Sequence, residues 1–371
     1  MQLTRRRFLG TAAIGAAALA NPAFAQSIRI VDALDREIGL AAPPKRVVVM
    51  FNYEEFTAIA GTQGWQRVVG INRMVWEGWR PAIFQRYGAV IPNLQGQPDV
   101  GNTDEGTFSA EKVIALRPDL VIVPKWIWSA IDTQRAQIKA AGIPMVVIDY
   151  NAQTLEGHMA STLAIGAAMG TPDRAKELAE RYRRNIEDIR NRTARAGSTT
   201  KPKVHFELGQ AGAETIGNSY ANTMWGSLAT SIGAANIADG KLAGPWGPMP
   251  VEATLAASPD FIFIAGSSWV NRPNAVKTGY DVPAEETRRT LAPYAMRPLW
   301  QNLNAIKRGE IHAIEHGLGR TLYDDTATLY IAKRLFPGAF EKDDPIASLA
   351  EYHAKYLPVA FSGTWMLPWK A

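Results

Sequence analysis

The sequence predicts an α/β protein of two similarly built lobes, each on a parallel sheet, joined by one long helix. Three observations carry that expectation. First, EKVIALRPDLVIV (Glu111–Val123) and EATLAASPDFIFI (Glu252–Ile264) repeat one pattern 141 residues apart: a glutamate, Pro-Asp seven residues on, then an apolar run. An acid, a Pro-Asp and a buried strand recurring in one register point to repeated architecture. Second, short apolar runs alternate with helical stretches, and the runs are apolar throughout, as strands covered on both faces are. Third, Pro172–Ala196 continues without a turn signal between the two halves.

SIRIVDALDREIGLAAPPKRVVVM (Ser27–Met50) reads as a small hairpin, a Pro43-Pro44 break and a buried strand at Val47–Met50. A helix over about Glu54–Gly61 and a strand at Arg67–Ile71 follow. Helix Ser109–Leu116 leads into strand Leu120–Val123, and helix Ala130–Ala141 into Ile143–Asp149. Thr171 caps the long helix and Pro172 suits its first turn. Ala175, Leu178, Ala179, Tyr182, Ile186 and Ile189 fall on one face of it. At 1.5 Å per residue it is roughly 35 Å long, and its place between similar halves makes it a strut. Gly197–Pro202 ends it. The second half restarts with strand Lys203–Leu208, a Gly-rich stretch, helix Met224–Ile232 and a stiff loop, Gly244–Pro250. Strand Phe261–Ile264, a long polar loop, helix Pro298–Ala305, strand Gly309–Ile314 and helix Asp324–Leu335 complete it. The division is therefore residues 26–170 for the first lobe, 171–197 for the linking helix and 198–371 for the second lobe.

With 371 residues the chain is long enough for two cores, and 47% hydrophobic against 20% charged excludes a disordered chain. The formal charge is +5, but residues 1–25 carry three arginines and no acid or lysine, so without them +2 remains and no nucleic-acid partner is suggested. Those residues have the anatomy of a cleaved export signal: TRRRFLG, then TAAIGAAALA, then Ala23-Phe24-Ala25. The apolar part is far shorter than the roughly 20 residues a membrane span needs. Arg5 and Arg6, followed by x-Phe-Leu, resemble a twin-arginine signal. Cysteine is absent, which excludes disulfides, thiol chemistry and a lipidated cysteine anchor. A free, monomeric periplasmic protein is the expectation.

DREIGLAAPPKRVV, GNTDEGTFSAEKVIALRPDLVIV, the long central helix, PVEATLAASPDFIFI and LWQNLNAIKRGEIHAI together resemble the periplasmic binding proteins of iron–siderophore, haem and cobalamin ABC importers, the class built on a helical backbone. The resemblance covers nearly the whole chain after residue 25. It implies two Rossmann-like lobes with the ligand cleft between them, and as partner an ABC permease dimer with its ATPase in the inner membrane. It also implies that the glutamate of each repeat, Glu111 and Glu252 here, reaches an arginine pocket on the permease. A pseudo-twofold protein docking on a twofold dimer has reason to present one acid per lobe. Either acid alone reads more plainly as a first-turn residue favouring a helix start.

Ligands of open parallel sheets gather at the carboxyl ends of the strands. From the residues that follow each predicted strand, the ligand-binding candidates are Tyr53, Arg73, Trp76, Lys125, Trp126, Trp269, Arg272 and His316, with Trp246 from the Gly-Pro loop. Trp79 and Arg80 lie near the second group. Indoles beside cations recur in both halves: aromatic walls suit flat or apolar ligand surfaces, and Arg and Lys suit anionic oxygens. That environment suits an anionic metal chelate. The expected function is capture of an iron–siderophore-type chelate, as cargo rather than cofactor, without chemistry. Haem is second, with Tyr53 or His316 as axial groups. Cobalamin is third, because a cationic cleft fits a carboxylate-bearing chelate better than a corrinoid. HAIEH (His312–His316) matches an inverted zinc-protease motif, so a zinc hydrolase using His312, Glu315 and His316 is the reading of another class. That chemistry needs a helix, and Gly309 and Gly317 leave a strand, with Glu315 facing away from both histidines. His158, His205 and His353 read as structural.

Overall fold

A computed structural model describes residues 28–197 and 201–370. The export-signal reading of residues 1–25, with Arg5 and Arg6, lies outside the described residues.

The first half opens on an antiparallel hairpin, β1 (Ile28–Val31) with β2 (Glu37–Leu40). Then come β3 (Val47–Val49), α1 (Tyr53–Gly64), β4 (Val68–Ile71), α2 (Pro81–Gly88), α3 (Ala110–Ala115), β5 (Leu120–Pro124), α4 (Lys125–Ala130), α5 (Asp132–Ala140) and β6 (Met145–Ile148). Their sheet is parallel, in the order β4-β3-β5-β6. Every residue of β3, β5 and β6 is buried, which is why these strands read as unbroken apolar runs.

Two long helices follow, α6 (Leu155–Met169) and α7 (Pro172–Ala196). The second half has β7 (Lys203–Leu208), β8 (Asn218–Tyr220), α8 (Met224–Ser231), β9 (Ala235–Asn236), β10 (Trp246–Pro248), α9 (Val251–Ala257) and β11 (Phe261–Gly266). It continues with α10 (Ala284–Ala295), α11 (Asn304–Arg308), β12 (Ile311–Glu315), α12 (Asp325–Leu335), α13 (Pro345–Tyr356) and β13 (Met366–Pro368). Its sheet runs β13-β12-β11-β7-β9, parallel except for β13, and β8 and β10 form a separate antiparallel ribbon.

The repeated Pro-Asp performs one task in both halves. Asp119 accepts the backbone N–H groups of Lys45 and Arg46 at 2.8 and 2.9 Å, just before β3. Asp260 accepts the N–H of Lys203 at 3.0 Å, at the start of β7. Each aspartate thus ties its own strand to the neighbouring strand that opens the sheet.

Several elements differ from expectation. The segment expected as one helix over Ala130–Ala141 is two, breaking at Ile131, and the first begins at Lys125. The polar loop after β11 contains α10, whose charged sequence hides a narrow buried face of Thr287, Thr290, Leu291, Tyr294 and Ala295. Pro298–Ala305 divides into a 3-10 turn at Pro298–Trp300 and α11. The extent of helix α6, expected only as the helix that carries His158, was not read from the sequence because it is apolar nearly all round and offers no stripe. It fits so closely against α7 that a Cβ on Gly166 would collide with the Ala175 side chain.

The strut is fastened to what it joins. Its buried face carries the six residues expected, with Thr193. Arg181 and Asn185 reach Asp325 at the start of α12, at 3.0 and 2.7 Å, and Arg192 pairs with Asp343. Asp325 is only 3% exposed. Asp325→Ala leaves a largely buried guanidinium without its partner and is expected to cost about 3 kcal/mol, read as a lowered urea midpoint with unchanged slope.

Candidate functional site

The carboxyl ends of β3 and β4 face those of β11 and β12 across the boundary between the halves. A cavity of about 350 Å³ lies there, lined by Met74, Trp79 and Glu105 from the first half and by Leu208, Trp269, Arg272, His316 and Arg320 from the second. Beneath it a recess of about 20 Å³ is walled by Glu54, Glu55, Arg80, Glu315, Arg320 and Tyr323.

Local backbone devices deliver these side chains. After β4 the chain coils into a π-helical turn, Met74–Gly78, a form found often at functional sites. Gly78 leaves room for the Met74 thioether to fold over it. The turn ends at Trp79 and Arg80, and Pro81 starts α2. In the second half β12 ends at Glu315, whose carboxylate accepts the Leu318 N–H at 3.0 Å and the Ser267 hydroxyl at 2.9 Å. That cap holds a 3-10 turn, His316–Arg320, which aims Arg320 back at the boundary.

Charge is concentrated here. Among the described residues neither Arg80 nor Arg320 has a carboxylate within salt-bridge distance, and the Arg80 Nε has no hydrogen-bond partner. Burial pulls the Arg320 pKa down to about 10, and the charge of Arg80 adds to the effect. Burial also works against the Arg80 charge, but Glu54 and Glu315 outweigh it and hold that pKa above its ordinary value. His316 is held well below the usual histidine range by burial first, then by Arg320 and Arg80, so it is a neutral imidazole at neutral pH. Its ring stands 6.1 Å from Tyr220 and 5.9 Å from Trp269, with Nδ1 buried and unpartnered. Glu315 is raised by burial against the pull of Arg80. Burial, then Glu54, push Glu55 up to about 8, although Asn52 and the Leu322 N–H donate to it.

Of the residues expected at the site, Trp269, Arg272 and His316 meet on the cavity wall. The others lie elsewhere. Trp76 is fully buried, stacked on Tyr53 at 4.6 Å and Trp65 at 5.8 Å, and the Tyr53 hydroxyl donates to the Asn72 carbonyl at 2.7 Å. The π turn sends Val75 and Trp76 into the core while Met74 and Trp79 meet the cavity, so the expectation that Trp76 lines the cleft is corrected. Tyr53 does line the recess beneath the cavity, but it is buried and its hydroxyl is committed to the Asn72 carbonyl, so it offers no free axial group. Arg73 holds Glu77 and the carbonyls of Gln95 and Gln97 instead of facing the cavity. Lys125 pairs with Asp149 at 3.4 Å, and Trp126 packs edge-on against Phe51. Trp246, 59% exposed, stands on β10 opposite Tyr220. Glu111 and Glu252 are exposed in the first turns of α3 and α9, the helices that lead into β5 and β11. Hydrogen bonding from the Ser109 hydroxyl keeps the Glu111 carboxyl below its usual range.

HAIEH is strand β12 and its first turn. His312 is occupied by Tyr330 and Glu310, both at 2.9 Å, while Glu315 turns to Ser267. Among the described residues no group of three or more His, Cys, Asp or Glu is placed to hold a metal. His158, His205 and His353 are buried; His158 bonds Asp324 at 3.1 Å and stacks on Tyr182.

Sequence reasoning missed Arg320, which sits in a turn read only as the lead-in to a helix, and passed over Trp79 and Arg80. It also missed Glu54 and Glu55, two acids at a helix start. The available signal was distance from a strand end: Arg320 lies five residues beyond Glu315.

Glu55 makes a pH test of the recess. Its carboxyl titrates near 4.5 when unfolded and near 8 when folded. Between those values the folded chain holds the extra proton, so its stabilising effect is complete below 4.5 and is lost as pH rises through 8. The melting temperature is therefore expected to fall as pH rises from 4.5 to about 8 and to level off above that, and Glu55→Gln is expected to flatten that fall.

The periplasmic binding protein family matches residues 48–316 of the chain. The solved TroA-like periplasmic binding protein FepB from Veillonella parvula is 31% identical, with a TM-score of 0.85 over 92% of this chain and 99% of that one. A periplasmic heme binding protein from Pseudomonas aeruginosa shares the fold at 20% identity, with a TM-score of 0.55 over 79% of this chain and 93% of that one. The vitamin B12-binding protein of Yersinia pestis (strain Pestoides F) is 29% identical over 164 residues, 43% of this chain and 53% of that protein. The chain thus spans about half the length of the curated relatives it matches. With two parallel-sheet lobes, a 25-residue helix between them and a match over most of its length, the chain belongs to the periplasmic binding protein family.

Proposed function

We propose that the protein is the periplasmic receptor of an ABC importer, exported by a twin-arginine signal, that captures an anionic, iron–siderophore-type metal chelate and delivers it to the permease without chemistry of its own. The observation that carries the reading is the pair Arg80 and Arg320, two guanidiniums without salt-bridge partners among the described residues; both line the recess, and Arg320 also lines the cavity with Arg272. Two cations left facing each other in a partly dry site are relieved by an anion placed between them. Trp79 and Trp269 supply flat apolar walls for the organic part of a chelate. No helix among the described residues is long and apolar enough to cross a membrane. Haem is the second reading, favoured by one observation: His316 is a neutral imidazole on the cavity wall.

Tryptophan fluorescence titration with ferric siderophores, hemin and cobalamin tests the proposal, since a ligand between Trp79 and Trp269 quenches both. A ferric siderophore of net negative charge is expected to bind, and saturation by cobalamin alone overturns the reading. Arg272→Ala is expected to weaken siderophore binding by about 1.5–3 kcal/mol. An unchanged dissociation constant, with the fold intact, removes Arg272 from the site.

Glu111 and Glu252 serve delivery in this proposal. Glu111→Arg and Glu252→Arg place like charges against permease arginines, a juxtaposition that costs several kcal/mol at an interface. Uptake into cells is expected to fall, most in the double variant, while ligand affinity in solution stays unchanged. Loss of affinity without a transport defect returns both residues to ordinary helix-start acids.

A further inference from the structure

We infer that the two arginines of the proposed anion site are exchanged across the lobe boundary, each positioned by a residue of the opposite lobe: Arg80 by Gly317 and Arg320 by Phe51. The inference rests on the anionic-ligand reading and adds what holds the cations in place.

Arg80 belongs to the first half, between the π turn and α2, yet its guanidinium lies against the turn that follows β12 in the second half. A Cβ built on Gly317 would stand 2.7 Å from the Arg80 Nη1 and 2.7 Å from the Glu315 Oε2. Gly317 is absent from the positive-φ glycines, so its backbone accepts any residue. What excludes a side chain is the space taken by Arg80 and Glu315. The bare backbone at Gly317 is the shelf on which Arg80 crosses the boundary.

Arg320 makes the reciprocal crossing. It leaves the second half and lies over the ring of Phe51, at the end of β3, with its guanidinium carbon 5.1 Å from the ring centre, within cation–π range. Hydrogen bonds between side chain and backbone join the halves at the crossing: the Asn52 side-chain amide donates to the Arg320 carbonyl at 3.2 Å, and the Leu322 N–H donates to the Glu55 carboxyl at 3.2 Å. Neither arginine is shelved on its own lobe. The cation pair therefore exists only while the two lobes hold this spacing, and separating them removes both supports at once. Gly317 and Phe51 are positioning residues, since each acts through an arginine.

Tungstate is the probe, a tetrahedral dianion that fits the cavity of about 350 Å³ lined by Arg320, above the recess that Arg320 shares with Arg80, and its anomalous scattering locates it in crystals. The unaltered protein is expected to bind it between Arg80 and Arg320. Gly317→Ala is expected to weaken tungstate binding at least tenfold by calorimetry and to displace the Arg80 guanidinium. The informative variant is the pair: Arg80→Ala with Gly317→Ala is expected to bind no more weakly than Arg80→Ala alone, because the added methyl has nothing left to displace. Full tungstate affinity in Gly317→Ala, or an equal loss in both backgrounds, overturns the positioning role. Absence of tungstate from the arginine pair in the unaltered protein overturns the anionic reading itself, a different failure. Should Gly317→Ala not fold, Phe51→Leu in the unaltered and Arg320→Ala backgrounds gives the same cycle for the other crossing.

Discussion

Holding two like charges together at a lobe boundary is the constraint around which this molecule is arranged. Arg80 and Arg320 cannot relax away from each other without leaving the backbone and ring that support them. Each must therefore be fixed by its own lobe up to the last few atoms. The π turn and Pro81 do this for Arg80, and the Glu315-capped 3-10 turn does it for Arg320. Both devices sit on strand ends, and strands buried on both faces are the most rigid parts of such a fold.

Rigid strand ends are useful only if the sheets are registered to each other, and the repeated segments bear on that. Asp119 and Asp260 tie the opening strand of each sheet to the strand beside it through backbone N–H groups. Helix α7 then joins the halves while remaining pinned through Asp325 and Asp343. The repeat noticed in the sequence is thus two signals in one motif. Its aspartate is internal and holds the sheet. Its glutamate is exposed in the first turn of a helix and takes no part in holding the sheet.

The strands and the backbone helix were legible in the sequence because burial on both faces, or on one long stripe, writes itself into residue order. Helices α6 and α10 were not, for opposite reasons: one is apolar nearly all round, the other charged with a thin buried edge. Position after a strand end found Trp269, Arg272 and His316, whose chain continues outward. It misplaced Trp76, since that rule cannot tell the inward side of a π turn from the outward side. Nearness to the end of β12 marks Arg320 as a candidate, but not where its guanidinium lies. Its place depends on Phe51, 269 residues away in the chain, and only the tertiary fold brings the two together.

Acids surround the cations: Glu54, Glu55 and Glu315 all face the recess, and a fully ionised set would weaken an anion site. Their environments separate them. Burial pushes Glu55 up to about 8, so at neutral pH it is largely a neutral hydrogen-bonding group. Glu315 is also raised, and its oxygens are committed to Ser267 and the Leu318 N–H. Neither carboxylate approaches the arginines closely enough to form an ion pair. Glu54 first, then Glu315, keep Arg80 charged from a distance while leaving its contact positions open. With His316 neutral, the cavity presents Arg320 and Arg272 beside one acid, Glu105, against indole walls, and Arg80 adds its charge from the recess. A site so built discriminates by sign of charge first and by shape second, because an unpaired buried cation penalises a neutral occupant more than a poor fit does.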